Sequence, residues 1–241
     1  MKTWLLLALT AAVAATPARA GMTAVYASPG TKTAAIRVEI ADDGRQRMEF
    51  GDGMFSLIRR DGHTYVVLGP SADLLVADIE DLRAVTRESA AKRDAAACAA
   101  FRPLAAEMKL VQRGTATIGG RSGDAWFRQN SNGTTPTTPD LVISHDPALA
   151  PLGAAVAEGF RASIGMLPEC PAFTEAMAPM QGALATGTPI AMQGVELLSL
   201  DSGAIDPDRF DLPATPRTRT QLRQGPKPGT PLVTLESWPR P

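Results

Sequence analysis

Few residues in this chain carry chemistry, and their spacing argues against most catalysis. Ser144-His145-Asp146 holds the three side-chain types of a hydrolase triad. Consecutive residues at a strand end point in different directions, however, and cannot pass a proton along one line. No G-x-S-x-G nucleophile elbow occurs anywhere. His63 and His145 are the only histidines, so a structural zinc site would have to borrow thiols or distant carboxylates. His63 follows Asp61-Gly62 and reads as a hairpin residue. Met177, Met180 and Met192 are soft enough to ligate copper, although filling a core beside a helix explains them more simply. Asp42, Asp43, Asp52 and Asp61 collect beside glycines without the spacing of an EF-hand, and turn chemistry accounts for each. Gly119-Gly120 and Gly123 precede neither a helix start nor a Lys-Ser/Thr pair, so they form no phosphate loop. The expectation is a protein without catalytic residues, metal or cofactor.

Two cysteines, Cys98 and Cys170, remain to be placed, and the compartment decides how they are read. Residues 1–20 have the layout of a secretory signal: Lys2, an apolar stretch over 4–15, and Ala18-Arg19-Ala20 as the cleavage site. The apolar stretch is too short to span a bilayer comfortably and no stop-transfer flank follows, so a mature chain starting at Gly21 is expected to lack a transmembrane span. Export to an oxidising compartment such as the periplasm makes one Cys98–Cys170 disulfide the expected pairing, worth roughly 4 kcal/mol in the chain-entropy picture. Taking Lys2 and Arg19 from the 24 basic residues leaves 22 against 25 acidic ones, a net charge of −3. Such a balance offers no concentrated basic surface for nucleic acid. Arg217, Arg219 and Arg223 make a local basic stretch that reads as a solvated tail.

The elements that must position these residues begin with an antiparallel meander. Segments 33–40, 45–50, 54–59 and 63–68 are separated by Asp42-Asp43-Gly44, Gly51-Asp52-Gly53 and Asp61-Gly62, where glycine supplies the positive φ of a tight turn. Ile36, Val38 and Ile40 alternate with Arg37 and Glu39, as in a sheet with one dry face. Tyr65 and Val67 are read as the inward pair of the fourth segment. After Gly69-Pro70 the composition turns helical, with Asp78 as N-cap and Ile79, Leu82 and Val85 on one face. Strands are expected again at 109–112, 115–118, 124–129 and 141–144. Asp146-Pro147 then starts a helix whose stripe is Leu149, Leu152, Val156, Phe160 and Ile164. A further helix over 172–184, a strand or pair over 187–200, and a turn holding a buried Phe210 complete the pattern. Prolines after 216 predict an extended tail. The organisation is thus a signal over 1–20, one domain over 21–215 and a Pro-rich tail over 216–241. The order of elements predicts an α+β fold, a single curved antiparallel sheet with helices on one face.

Two stretches carry a resemblance. One is 36–67, with its rhythm EIADDGRQRMEFGDGMFSLIRRDGHTYVV; the other is Gly187-Thr188-Pro189 followed by the segment from Ile205 to the F-x-L-P ending at Pro213. Together they resemble the half-barrel superfamily of the periplasmic lipoprotein carrier and its outer-membrane receptor, and more closely exported bacterial domains of unknown function thought to share that shape. The resemblance implies an unclosed antiparallel barrel whose concave face is covered by helices and can hold an acyl chain. It carries over no site residue. Candidate cavity walls are Ile36, Val38, Ile40, Met48, Phe50, Leu57, Val67, Leu152, Val156 and Phe160. The expected function is non-enzymatic periplasmic binding or carriage of an apolar ligand. The alternative is an envelope protein–protein interaction module with a solid core, acting through its tail or an edge strand.

Overall fold

The computed structural model describes residues 21–51, 53, 55–69, 74–90, 109–130, 132–166 and 171–224. The signal over 1–20, both cysteines and the tail beyond 224 lie outside the described residues. Eleven strands form one sheet in the order β6-β5-β4-β3-β2-β1-β11-β10-β9-β8-β7. The first six are β1 (Met22–Ala27), β2 (Ala34–Ile40), β3 (Gln46–Phe50), β4 (Phe55–Arg60), β5 (His63–Leu68) and β6 (Leu75–Asp78). They form a meander that walks outward from the middle of the sheet. The other five are β7 (Lys109–Ile118), β8 (Arg121–Gln129), β9 (Leu141–Ser144), β10 (Thr188–Met192) and β11 (Val195–Ser202). They walk back inward, and every pairing is antiparallel. The expected α+β class and single antiparallel sheet are therefore present.

The turns behave as their residues dictate. Asp61 and Gly62 adopt φ of 53° and 79°, the doubly positive pair of a type I′ hairpin that matches the twist of the strands it joins. Two strands were not anticipated. β1 carries only Ala24 and Tyr26 as strongly inward residues, yet it pairs on both sides, with β2 and β11. β6 is four residues long. The two segments expected over 109–118 are one strand, β7, with an irregularity between Gln112 and Thr115 where Gly114 takes φ 66°.

Among the described residues four helices accompany the sheet: α1 (Ile79–Ala90), α2 (Ala150–Gly165), α3 (Pro171–Leu184) and α4 (Arg219–Arg223). Asp78 caps α1, its Oδ1 accepting from the Glu80 amide at 2.8 Å. Asp146 accepts from the Ala148 amide at 2.9 Å and starts a short 3₁₀ turn, Pro147–Leu149, that runs into α2. Leu152, Ala155 and Val156 of α2 and Met180, Ala183 and Leu184 of α3 pack on one face of the sheet, against Tyr26, Val38, Met48, Leu57 and Val66. At Gly153 the helix lies so close to β10 that a Cβ would stand 2.5 Å from Thr188 Oγ1, which itself donates to the Leu149 carbonyl.

Over β2 to β6 the opposite face is covered as well, by a strap over residues 203–217. Its start is tied to the chain beginning by the Gly203 amide donating to Gly21 O at 2.9 Å. Phe210, fully buried at the end of a 3₁₀ turn (Pro207–Phe210), lies under the Arg45 guanidinium, 5.1 Å from ring centroid to charge. Arg209 donates to both Glu39 and Glu49, and Arg60 reaches Asp211 at 2.7 Å. Leu212 joins Ile58, Val67 and Val76 in a second apolar cluster. The Arg217 amide then donates to Val76 O on the edge strand β6 at 2.8 Å. Residues 219–223 are helical rather than extended, and the basic stretch is paired rather than free: Arg219 meets Asp81 and Arg223 meets Glu88, each at 2.6 Å. A capping box at Thr218 and Gln221 explains why a helix starts there.

Candidate ligand cavity

His145, the residue with most chemical promise, is held at both ring nitrogens. Nε2 donates to Asp124 Oδ2 at 2.9 Å and Nδ1 donates to the Thr186 carbonyl at 3.1 Å. Because both partners accept only, the doubly protonated ring is favoured, and the hydrogen bond to Asp124 raises its pKa above the usual histidine value. A ring in that state has no free nitrogen with which to activate a nucleophile. Ser144 is buried and its Oγ accepts from the Asp146 amide at 3.3 Å, so the three consecutive residues serve three separate local tasks. His63 pairs with Asp78 at 2.7 Å across β5 and β6. Among the described residues no group of three or more His, Cys, Asp or Glu side chains converges on a metal-sized site.

Between the helices and the sheet lies a cavity of about 330 Å³. β2 and β3 supply Ile36, Met48 and Phe50; α2 supplies Val156, Phe160, Ser163 and Ile164; α3 supplies Phe173, Met177, Met180 and Leu184; Met192, Gln193 and Val195 come from the hairpin of β10 and β11. No charged residue is among them. Ser163 satisfies its hydroxyl within α2 by donating to Gly159 O at 2.9 Å. Gln193 is exposed, with φ 47° in the β10–β11 turn, and marks the opening. The size falls in the lower part of the range typical of small-molecule sites, and the apolar walls match their usual character.

Of the ten wall residues expected, Ile36, Met48, Phe50, Val156 and Phe160 line this cavity. Val38 and Leu57 border a smaller gap next to it. Ile40 and Leu152 are buried core residues that border neither. Val67 belongs to the other face, packed with Ile58, Val76 and Leu212, and it is Val66 that points to the helices. The physical reason is the strap: it dries the outer face, so both Val66 and Val67 are buried and alternation alone cannot orient β5. Sequence reasoning missed the share of α3. Phe173, Met177, Met180 and Leu184 recur at three and four residues, a stripe available in the sequence.

Comparison with family models, with curated proteins and with solved structures returned no match for this chain. Among the described residues no helix is long and apolar enough to cross a membrane.

Proposed function

We propose that the protein is an exported, non-enzymatic carrier that shelters an acyl chain or a similarly apolar ligand between α2, α3 and the sheet. The observation that carries this reading is the cavity of about 330 Å³, whose lining among the described residues holds no charged side chain and whose exposed member is Gln193. A dry pocket of this kind gains affinity from apolar area and would penalise a charged group drawn inside. The ligand's polar end therefore stays at the mouth. Four methionines in the wall, Met48, Met177, Met180 and Met192, make it adaptable in shape, which suits a ligand without fixed contours. The signal-like residues 1–20 put the carrier in the periplasm. One long antiparallel sheet with helices gathered on a single face agrees with a half-barrel, helices on its concave side, as the resemblance implies. The pinning of Arg217, Arg219 and Arg223 to β6 and α1 weakens the alternative of an interaction module acting through that stretch.

The test is purification of the full exported protein without detergent, followed by lipid extraction and mass spectrometry. An acyl-bearing molecule in near-stoichiometric amount is expected. A protein that carries none and also fails to bind a fluorescent fatty acid overturns the proposal.

A further inference from the structure

We infer that Met48 is a movable partition that sets how long a chain the cavity accepts. This deepens the proposed acyl-binding reading and rests on it. Met48 is the one residue bordering both the 330 Å³ cavity and a second gap of about 20 Å³ beneath α2, room for about one water molecule. The lining of the large cavity runs across the sheet from the end of β10, beside the exposed turn residue Gln193 taken here as the mouth, to β3, where Met48 stands. With strands about 4.8 Å apart, those five neighbours separate the two ends by roughly 19 Å. Met48 thus closes the end far from the mouth.

What holds the partition is a glycine. A Cβ at Gly159 would lie 2.8 Å from both Sδ and Cε of Met48, so the thioether rests directly on the α2 backbone and fills the passage. Beyond it, Leu57, Ala155 and Ala162 continue an apolar lining until Arg59 and Glu158 pair at 2.8 Å across the far rim. Methionine is unbranched with three rotatable bonds, so this wall can swing where a leucine or valine wall would not. A chain ending at Met48 fills the main cavity; a longer one has to displace the thioether toward the small gap.

The experiment is displacement of a bound fluorescent fatty acid, cis-parinaric acid, by saturated acids from octanoate to eicosanoate on the full-length mature protein. In the wild type each added methylene is expected to gain about fourfold in affinity up to a cut-off, then nothing. Met48→Ala moves the cut-off to longer chains by two or more methylenes, a relative gain of about tenfold or more for the acids just past the wild-type limit. Met48→Leu leaves it in place. The wild-type series decides the matter even if Met48→Ala does not fold: affinity rising without a cut-off overturns the inference. A folded Met48→Ala protein with an unmoved cut-off overturns it too, while leaving acyl binding intact. No displacement at any length, with no probe bound, sinks both.

Discussion

Hydrogen bonds at both ring nitrogens make His145 a structural pin between β8, the β9 end and the turn after α3. Its folded pKa is raised, chiefly by the hydrogen bond to Asp124, while an unfolded chain returns it to about 6.5. The stabilisation is fully present below that unfolded value and is lost as pH rises through the higher folded one. The effect is small because the side chain is about half exposed. NMR titration of the ring should show a midpoint above that of a free histidine, and Asp124→Asn should bring it back down; an unchanged midpoint in that variant would contradict the pairing. Glu49 has the opposite sign. Burial pushes its carboxyl up, but the Arg47 and Arg209 guanidinium groups outweigh this and hold it below the usual range, so its contribution fades only as acid protonates it. At this scale the sequence was informative where a role is local, as for the Asp146 cap. Ser144, His145 and Asp146 could be set aside as a triad from their adjacency alone, whereas the Asp124 partner, twenty-one positions away, had no local signal.

At the scale of elements the strap is the feature that pattern reading missed. Strand alternation assigns one wet face and puts Arg37 and Glu39 there; Glu39 is nevertheless buried, with Arg209, 170 positions later in the chain, donating to it and to Glu49. Glu39 is 5 % exposed, so removing its partner strands a buried carboxylate. Arg209→Ala is expected to cost about 2–3 kcal/mol in chemical denaturation, less than the ~3–5 kcal/mol of a fully enclosed pair because Arg209 is itself partly open to solvent. The double change Glu39→Leu with Arg209→Leu should recover part of that loss. Equal destabilisation by the single and double variants would assign the cost to packing instead. Elements with local punctuation were legible: the Asp-Gly hairpins, the Asp78 cap and the Asp146-Pro147 start all stand where the residues put them. Those set by distant partners were not, and β1 and β6 share that property, whereas α4 carried a local signal, the Thr218–Gln221 capping box, inside a stretch read as an extended tail.

For the whole molecule the decisive fact is the position of β1. The meander from β1 to β6 and the returning set from β7 to β11 are joined into one sheet by the β1–β11 ladder, which pairs Met22 with Ser202 and Ala24 with Leu200. Tyr26 adds a buried hydrogen bond to Pro189 O at 2.8 Å, on the strand beyond β11. A chain stopped after Thr186 should therefore fail to fold. It would leave β1 with a bare edge and take away the strands on which α2 and α3 rest. Circular dichroism with thermal unfolding reads the outcome, and a cooperative transition in that fragment would refute the dependence.

That same seam dictates a timetable. The ribosome makes Met22–Ala27 about 170 residues or more before the segment it pairs with, Val195–Ser202. Loop closure over so long a separation is slow, and the waiting half keeps an unpaired strand and a greasy surface available to strangers in the meantime. A nascent chain of this design depends on being kept apart from its siblings until its final hairpin has been delivered.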